Sequence, residues 1–141
     1  MNTPSRGSSQ DQAIESAFGQ PVPELYRTAT AGQAGPALFR AMELRSFLAV
    51  TESHVDRVRD RMHEATAPDR DQNELDAADL RTDVEWMKAA LSSRTEIITA
   101  LTRLLRSMPG REASHPGRHQ VTPTASPKAN TATTAARSRH P

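Results

Sequence analysis

Apolar residues in the middle of the chain recur with the spacing of two amphipathic helices. The later series, at alternating intervals of four and three residues, is Leu80, Val84, Met87, Leu91, Arg94, Ile98, Leu101, Leu105 and Met108. The earlier series is Leu44, Leu48, Thr51, Val55, Val58 and Met62. This alternation keeps one seam of a helix facing a partner helix, so it predicts two long helices of coiled-coil character.

Proline and glycine mark the bounds of both predicted helices, because both residues interrupt helical structure. Pro36 suits a first helical position, Pro109 begins a stop signal, and Pro68 is the only proline between them. No glycine occurs in that interval. We therefore predict one helix over residues 36–66 and a second over residues 73–108.

The turn around Pro68 is short and acidic. Asp71, with Glu74 three residues later, resembles a capping box at the start of the second helix. Two seams joined by one short turn are satisfied most simply by an antiparallel hairpin. The predicted fold class is all-α, an antiparallel helical hairpin of coiled-coil character with disordered arms.

The predicted hairpin, residues 36–108, lies between two segments that we expect to be flexible. Residues 109–141 form a basic tail rich in Pro, Ser, Thr and Ala, and residues 1–35 contain few large apolar side chains. Neither segment has enough apolar surface to offset the entropy lost on ordering. Within the first arm, residues 17–18 and 22–26 are candidates for a short docking motif.

The hairpin is most apolar at its open end, where the start of the first helix meets the end of the second. Phe39 and Phe47 broaden the first helix's face there, and we expect them to converge with Ile97 and Leu104 of the second. Because a two-helix unit of this size cannot bury so wide a face within itself, we expect it to bind itself or another amphipathic helix. The predicted oligomer or partner interface comprises Phe39, Met42, Phe47, Leu48, Leu91, Arg94, Ile97, Ile98, Leu101, Leu104 and Leu105.

Two further residues bear on pairing. Arg94 occupies a seam position, where a charged group either fixes the register and oligomeric state or extends its stem past the partner to water. Trp86 lies outside the seam, where it is either a partner contact or a side chain packed over the edge of the hairpin.

Residues that usually carry catalysis or bind metals are sparse or poorly arranged. The chain has no cysteine, and an acidic residue recurs every four positions from Glu52 to Glu64. Asp60 with His63 has the acid-x-x-histidine spacing of a di-iron helix, but the predicted second helix contains no histidine to complete such a site. We interpret the acids as a solvated, ion-paired face. We predict no enzyme activity, catalytic residue, cofactor, metal site or small-molecule substrate.

Charge is distributed unevenly along the chain. Residues 67–79 hold five acids against one arginine, whereas residues 111–141 hold five Lys or Arg residues against one acid. A basic tail can contact phosphates, so the alternative function is a nucleic-acid-associated coiled coil, such as the lead segment of a retroelement capsid-type protein or a small regulator. A solubilising tail is the simpler interpretation of so dilute a charge.

The hydropathy of the chain is relevant to its cellular location. No stretch approaches the roughly 20 apolar residues of a membrane span, and residues 1–7 lack the apolar core of a secretory signal. We therefore expect a cytoplasmic protein without a membrane span.

The second predicted helix, with its acidic lead-in and terminal leucines, carries a resemblance to a known family. Its sequence, LDAADLRTDVEWMKAALSSRTEIITALTRLLRSM over residues 75–108, resembles the closing helix of the inner-rod subunits of type III secretion systems. The resemblance covers about a quarter of the chain and implies packing into a helical assembly, with export that needs no cleavable signal peptide. The chain departs from the family by continuing for about thirty residues beyond that helix. The expected function is a non-catalytic structural or adaptor protein, a small subunit of a type III secretion-like apparatus.

Overall fold

Two long antiparallel helices form the frame of the structure, a computed structural model in which residues 6–109 are described. The helices, in chain order, are α1 (Asp11–Phe18), α2 (Val22–Thr30), α3 (Pro36–Ala65) and α4 (Ala77–Ser107). Side chains that pair between α3 and α4 run in opposite directions along the two helices, Glu52 with Arg94 and Arg61 with Asp83. The predicted all-α hairpin is confirmed.

The predicted bounds of the hairpin helices hold to within one residue at three of the four ends. The exception is the start of α4. The Asp71 carboxylate accepts a hydrogen bond from the backbone N–H of Asn73 at 2.9 Å, but it caps only a single 3-10 turn, Gln72–Glu74. The helix begins after Asp76, whose carboxylate accepts from the backbone N–H of Ala78 at 2.6 Å. The predicted capping box is wrong, because a second acid five residues later satisfies the free N–H groups of α4.

The seam of α4 differs from the predicted seam at two positions. Val84 and Leu91 are 48% and 46% exposed, and the residues directly before them, Asp83 and Ala90, take the inward positions. Ala90 is small enough to let α3 approach closely, and Asp83 is held by an ion pair with Arg61. The other predicted positions are at least partly buried: Leu80, Met87, Arg94, Ile98, Leu101, Leu105 and Met108.

Residues 11–30 form two short helices packed on the hairpin, which corrects the expectation of a flexible first arm. Gly19 ends α1 with a positive φ of 73°, and Pro21 begins α2 in extended geometry. Ile14 and Leu25 are 0% and 1% exposed. Full burial of an Ile or Leu side chain contributes about 1.5–3 kcal/mol, so tertiary packing stabilises helices that would be marginal alone.

One hydrophobic core joins these two helices to the open end of the hairpin. Its buried members are Ile14, Leu25, Ala41, Met42, Leu44 and Leu101. The side chains packed around them are Phe18, Tyr26, Ala29, Leu38, Ile97, Ala100, Leu104 and Leu105. The apolar end that the sequence left without a partner is therefore covered by the chain's own α1 and α2.

Across residues 6–109, no helix has the length and apolar character needed to cross a membrane. The predicted tail lies outside the described residues from position 110 onward.

Candidate functional site

A row of large apolar side chains lies exposed on one face of α3. Phe39, Phe47 and Val50 are 59%, 53% and 55% exposed. Their spacing of eight and three residues places them on a common face of the helix, which continues one turn later at His54. A row of this kind, interrupted by Glu43 between Phe39 and Phe47, differs from the scattered exposed apolar residues of an ordinary surface.

Trp86 extends this row onto α4. Its indole meets the His54 ring edge to face, with centroids 5.5 Å apart and an interplanar angle of 68°, yet Trp86 stays 54% exposed. The His54 Nε2 atom is buried and has no hydrogen-bond partner among the described residues. Phe39, Phe47, Val50, His54 and Trp86 are referred to below as the apolar stripe. Sequence reasoning left Trp86 as either a partner contact or an edge-packing residue, and in the structure it packs over the edge through one face only.

The opposite edge of α4 carries a smaller exposed pair, Val84 and Leu91. Leu91 borders a shallow groove between α3 and α4 that is also lined by Val55, Glu52 and Arg94. The charged groups in this groove are engaged within the chain, so this edge is less apolar than the stripe.

Arg94 links three segments of the chain. Its Nε donates to Glu52 Oε1 at 2.9 Å and its Nη2 donates to Ser9 Oγ at 3.2 Å. Ser9 in turn donates to Glu52 through its hydroxyl at 2.5 Å and its backbone N–H at 2.9 Å. The seam position predicted for Arg94 is therefore occupied by an ion pair that fastens the segment before α1 to both hairpin helices.

A second clamp, which sequence reasoning missed, holds α1 against α3. Arg45 is 1% exposed, and it donates to Asp11 through Nε and Nη2, both at 2.8 Å. Its Nη2 also donates to the Arg6 carbonyl at 2.6 Å, and its guanidinium lies 5.5 Å from the centroid of the Tyr26 ring. The available signal was the position of Arg45, between Leu44 and Leu48 in the apolar first half of α3, where a charge needs a partner.

The clamp also sets the ionisation of its carboxylate. Burial alone would raise the pKa of Asp11, but the hydrogen bonds from Arg45 and Ser8 outweigh burial and hold that pKa below its usual value. Asp11 therefore remains ionised, and its pairing with Arg45 intact, across the neutral range.

The structure divides the predicted interface residues into an inner and an outer group. The inner group, buried or partly buried, is Met42, Leu48, Ile97, Ile98, Leu101, Leu104 and Leu105. The outer group is Phe39, Phe47 and Leu91, and Arg94 lies between the two. The expected convergence of both phenylalanines with Ile97 and Leu104 is wrong, because Ile97 and Leu104 pack in the core beneath α1 and α2. Val50, absent from the prediction, belongs to the outer row.

Two of the four acids that recur along α3 form ion pairs. Glu52 binds Arg94, and Asp56 lies 3.2 Å from Arg59 and 3.8 Å from Arg6. Within residues 6–109, no three histidine or acidic side chains come together in a geometry that could hold a metal ion. The feature in the described chain that is best suited to bind something is thus the apolar stripe.

No protein-family model, curated protein sequence or solved structure matches this chain.

Proposed function

We propose that this protein is a non-catalytic structural or adaptor protein that assembles through the apolar stripe. The observation that carries the proposal is the exposure of Phe39, Phe47, Val50 and Trp86, each more than half open to solvent on one side of the hairpin. Aromatic anchors beside aliphatic ones on a rigid helix face are typical of protein interfaces. Another helix packed over them buries apolar area that stays exposed to water in the folded chain.

The position of the stripe changes which surface serves assembly. The open end of the hairpin is packed against Ile14 and Leu25 from α1 and α2, so its core-facing side chains are already buried. The side of the hairpin, along α3 and the adjoining edge of α4, retains an exposed apolar face that begins at Phe39. Assembly through the side leaves the core undisturbed and requires no unfolding of α1 or α2.

The setting in which the assembly works is proposed from the resemblance of residues 75–108 to the closing helix of type III secretion inner-rod subunits. The single continuous helix α4, Ala77–Ser107, and its exposed Trp86 are compatible with a subunit that packs against neighbouring helices. On this proposal the protein is a small subunit of a secretion-type apparatus.

Sedimentation equilibrium of the full chain tests the proposed assembly, with two matched valine variants. Val50 lies in the stripe and Val84 on the opposite edge, and the two are 55% and 48% exposed. The wild-type chain is expected to show a mass above that of a monomer in the micromolar range. Val50→Glu should return it to monomer, because the interface would have to bury an unpaired carboxylate, whereas Val84→Glu should still associate.

Two outcomes would refute assembly through the stripe. One is a wild-type chain that remains monomeric at every micromolar concentration. The other is equal association by the Val50→Glu and Val84→Glu variants. Circular dichroism of both variants shows whether the helices are intact, so that loss of association is not confused with unfolding.

A further inference from the structure

The exposed face of α3 has a symmetric arrangement of residues about Val50. Phe39 and Arg61 lie eleven residues on either side of it, and Glu43 and Arg57 lie seven residues on either side. All of these positions fall on the same helical face as the apolar stripe, since they continue its steps of three and four residues. A second α3 that runs antiparallel over this face, centred on Val50, brings each member of a pair opposite the other member in the second helix.

This arrangement produces complementary charges. Glu43 of each copy falls opposite Arg57 of the other, so one two-fold axis creates two ion pairs. Arg57 has no ion-pair or hydrogen-bond partner within residues 6–109, while Glu43 has only its exposed neighbour Arg40, at 2.5 Å. Phe39 falls opposite Arg61, whose guanidinium is paired with Asp83 of its own copy and whose stem is open to contact with the aromatic ring.

The apolar members also match. Phe47 and His54 lie three and four residues from Val50, so Phe47 falls within one residue of the level of His54 in the second copy, beside the Trp86 that already packs edge to face on that histidine. Val50 meets its own symmetry equivalent at the axis. The arrangement covers Phe47 and Val50, with no carboxylate facing a carboxylate in the pairs that the symmetry defines.

The neighbouring face of α4 is shaped for the same approach. Ala89 and Ser93 follow Trp86 at three and seven residues, which places these small side chains on the same side of α4. The contacts of Arg94 with Glu52 and of Asp83 with Arg61 place the level of Val50 just after Ser93. A second hairpin related by the same axis would thus set α4 against α4 at small residues, as in antiparallel four-helix bundles.

We infer that the partner of the apolar stripe is a second copy of this chain, bound antiparallel about a two-fold axis at Val50 to form a four-helix bundle. This inference rests on the proposed function and specifies its partner and geometry. The charge complementarity of Glu43 with Arg57 favours a second copy over an unrelated helix, because one chain supplies both members of each pair at matching distances from the axis.

Cysteine cross-linking of the full chain tests the position of the axis. The chain contains no cysteine, so Val50→Cys introduces a single thiol. A residue on a two-fold axis meets its own equivalent within disulfide range, and a covalent dimer should form under mild oxidation. Val84→Cys is the matched control for random collision, and its dimer should form at least about tenfold more slowly than that of Val50→Cys. Equal rates for the two variants would overturn the inference.

Charge reversal tests the pairing independently. Glu43→Arg and Arg57→Glu should each raise the dissociation constant about tenfold, because each places two like-charge pairs in the interface. The double variant, Glu43→Arg with Arg57→Glu, restores opposite charges and should return the constant to near the wild-type value. Single variants that leave the constant unchanged, or a double variant no better than the singles, would overturn the antiparallel pairing.

The outcomes separate the inference from the function on which it rests. A chain that associates and loses association in Val50→Glu, but shows neither selective Val50→Cys cross-linking nor charge rescue, keeps the proposed function and eliminates the two-fold pairing. Binding of the stripe to a different helical protein likewise keeps the proposed function and eliminates the two-fold pairing. A wild-type chain that sediments as a monomer throughout removes both.

Discussion

Replacing Asp11 with alanine is expected to release α1 and α2 from the hairpin without unfolding α3 and α4. The substitution removes the carboxylate that accepts two 2.8 Å hydrogen bonds from Arg45, a residue 1% exposed. Removing one partner of a fully buried ion pair costs about 3–5 kcal/mol. The Asp11 side chain is 25% exposed, so water reaches the vacated position and lowers the expected cost of the substitution to about 2–3 kcal/mol.

Hydrogen exchange measured by mass spectrometry reads this change locally. A loss of about 2–3 kcal/mol in docking free energy corresponds to exchange about 30- to 150-fold faster in peptides that cover residues 11–30. Peptides from the middle of α4 should change little. Far-UV circular dichroism should fall only modestly, because α1 and α2 contain 8 and 9 residues, against 30 and 31 in α3 and α4.

Asp56→Ala is the matched control. Asp56 pairs with Arg6 and Arg59 at the surface, where an ion pair is worth about 0–1 kcal/mol. In the double variant, Asp11→Ala with Arg45→Met, the amides of residues 11–30 should exchange more slowly than in Asp11→Ala alone, because no buried charge is left unpaired. If residues 11–30 are protected from hydrogen exchange equally well in the Asp11→Ala and Asp56→Ala variants, the contact between Asp11 and Arg45 does not hold the N-terminal helices and the reasoning is wrong.

Two further predictions concern acid and helix capping. The pKa of Asp11 is held below its usual value of 3.8, so docking of α1 is fully stabilised above that pH and is lost as the pH falls through the lower, folded pKa. Hydrogen exchange of residues 11–30 measured against pH should show this transition, and Asp11→Asn should abolish it. Asp76→Ala should lower the free energy of unfolding by about 1 kcal/mol through loss of the α4 cap, whereas Asp71→Ala should change it by less than about half as much, which urea titration measures. Equal effects of the two aspartate substitutions would contradict the assignment of the α4 cap to Asp76 and favour Asp71, which the sequence predicted.

The hairpin was predictable because its signals are long and agree with one another. A run of 30 residues without glycine or internal proline, starting at Pro36, specifies α3 whatever its surroundings are. The start of α4 was less predictable, because several acids in the turn could each accept a backbone N–H. Only the path of the chain after Pro68 selects Asp76 over Asp71.

The register of the α4 seam depended on information that apolar counting omits. Val84 and Leu91 fit the heptad as apolar residues, yet the structure turns them outward and places Asp83 and Ala90 against α3. An aspartate becomes acceptable at such a position only when a partner, here Arg61, lies across from it. The heptad rule applied to one helix cannot include that pairing.

Residues 17–18 and 22–26 were candidates for a docking motif and do contribute Phe18, Leu25 and Tyr26 to the core, but the two helices that carry them were missed for a different reason. Segments of 8 and 9 residues that are separated by Gly19 and Pro21, with Pro23 inside the second, have too little local helical stability to be recognised from propensity. Their stability comes from burial of Ile14 and Leu25 against the hairpin and from the contact between Asp11 and Arg45. Interactions of this kind connect residues far apart in sequence, and a single chain read along its length shows only that each partner is present.

The closure of the open end by α1 and α2 constrains how far an assembly of this chain can grow. A stripe that pairs with itself about a two-fold axis is buried in the dimer interface. Growth into a rod then needs a second, different face on each copy. Among the described residues, the other exposed apolar pair is Val84 and Leu91, on the opposite edge of α4. If the Val50 axis is correct, a rod requires that edge as well, and Val84→Glu should stop growth at the dimer while leaving the dimer intact. A mass that stops at the dimer in wild type instead separates the self-pairing of this chain from the open helical packing that its resemblance to inner-rod subunits implies.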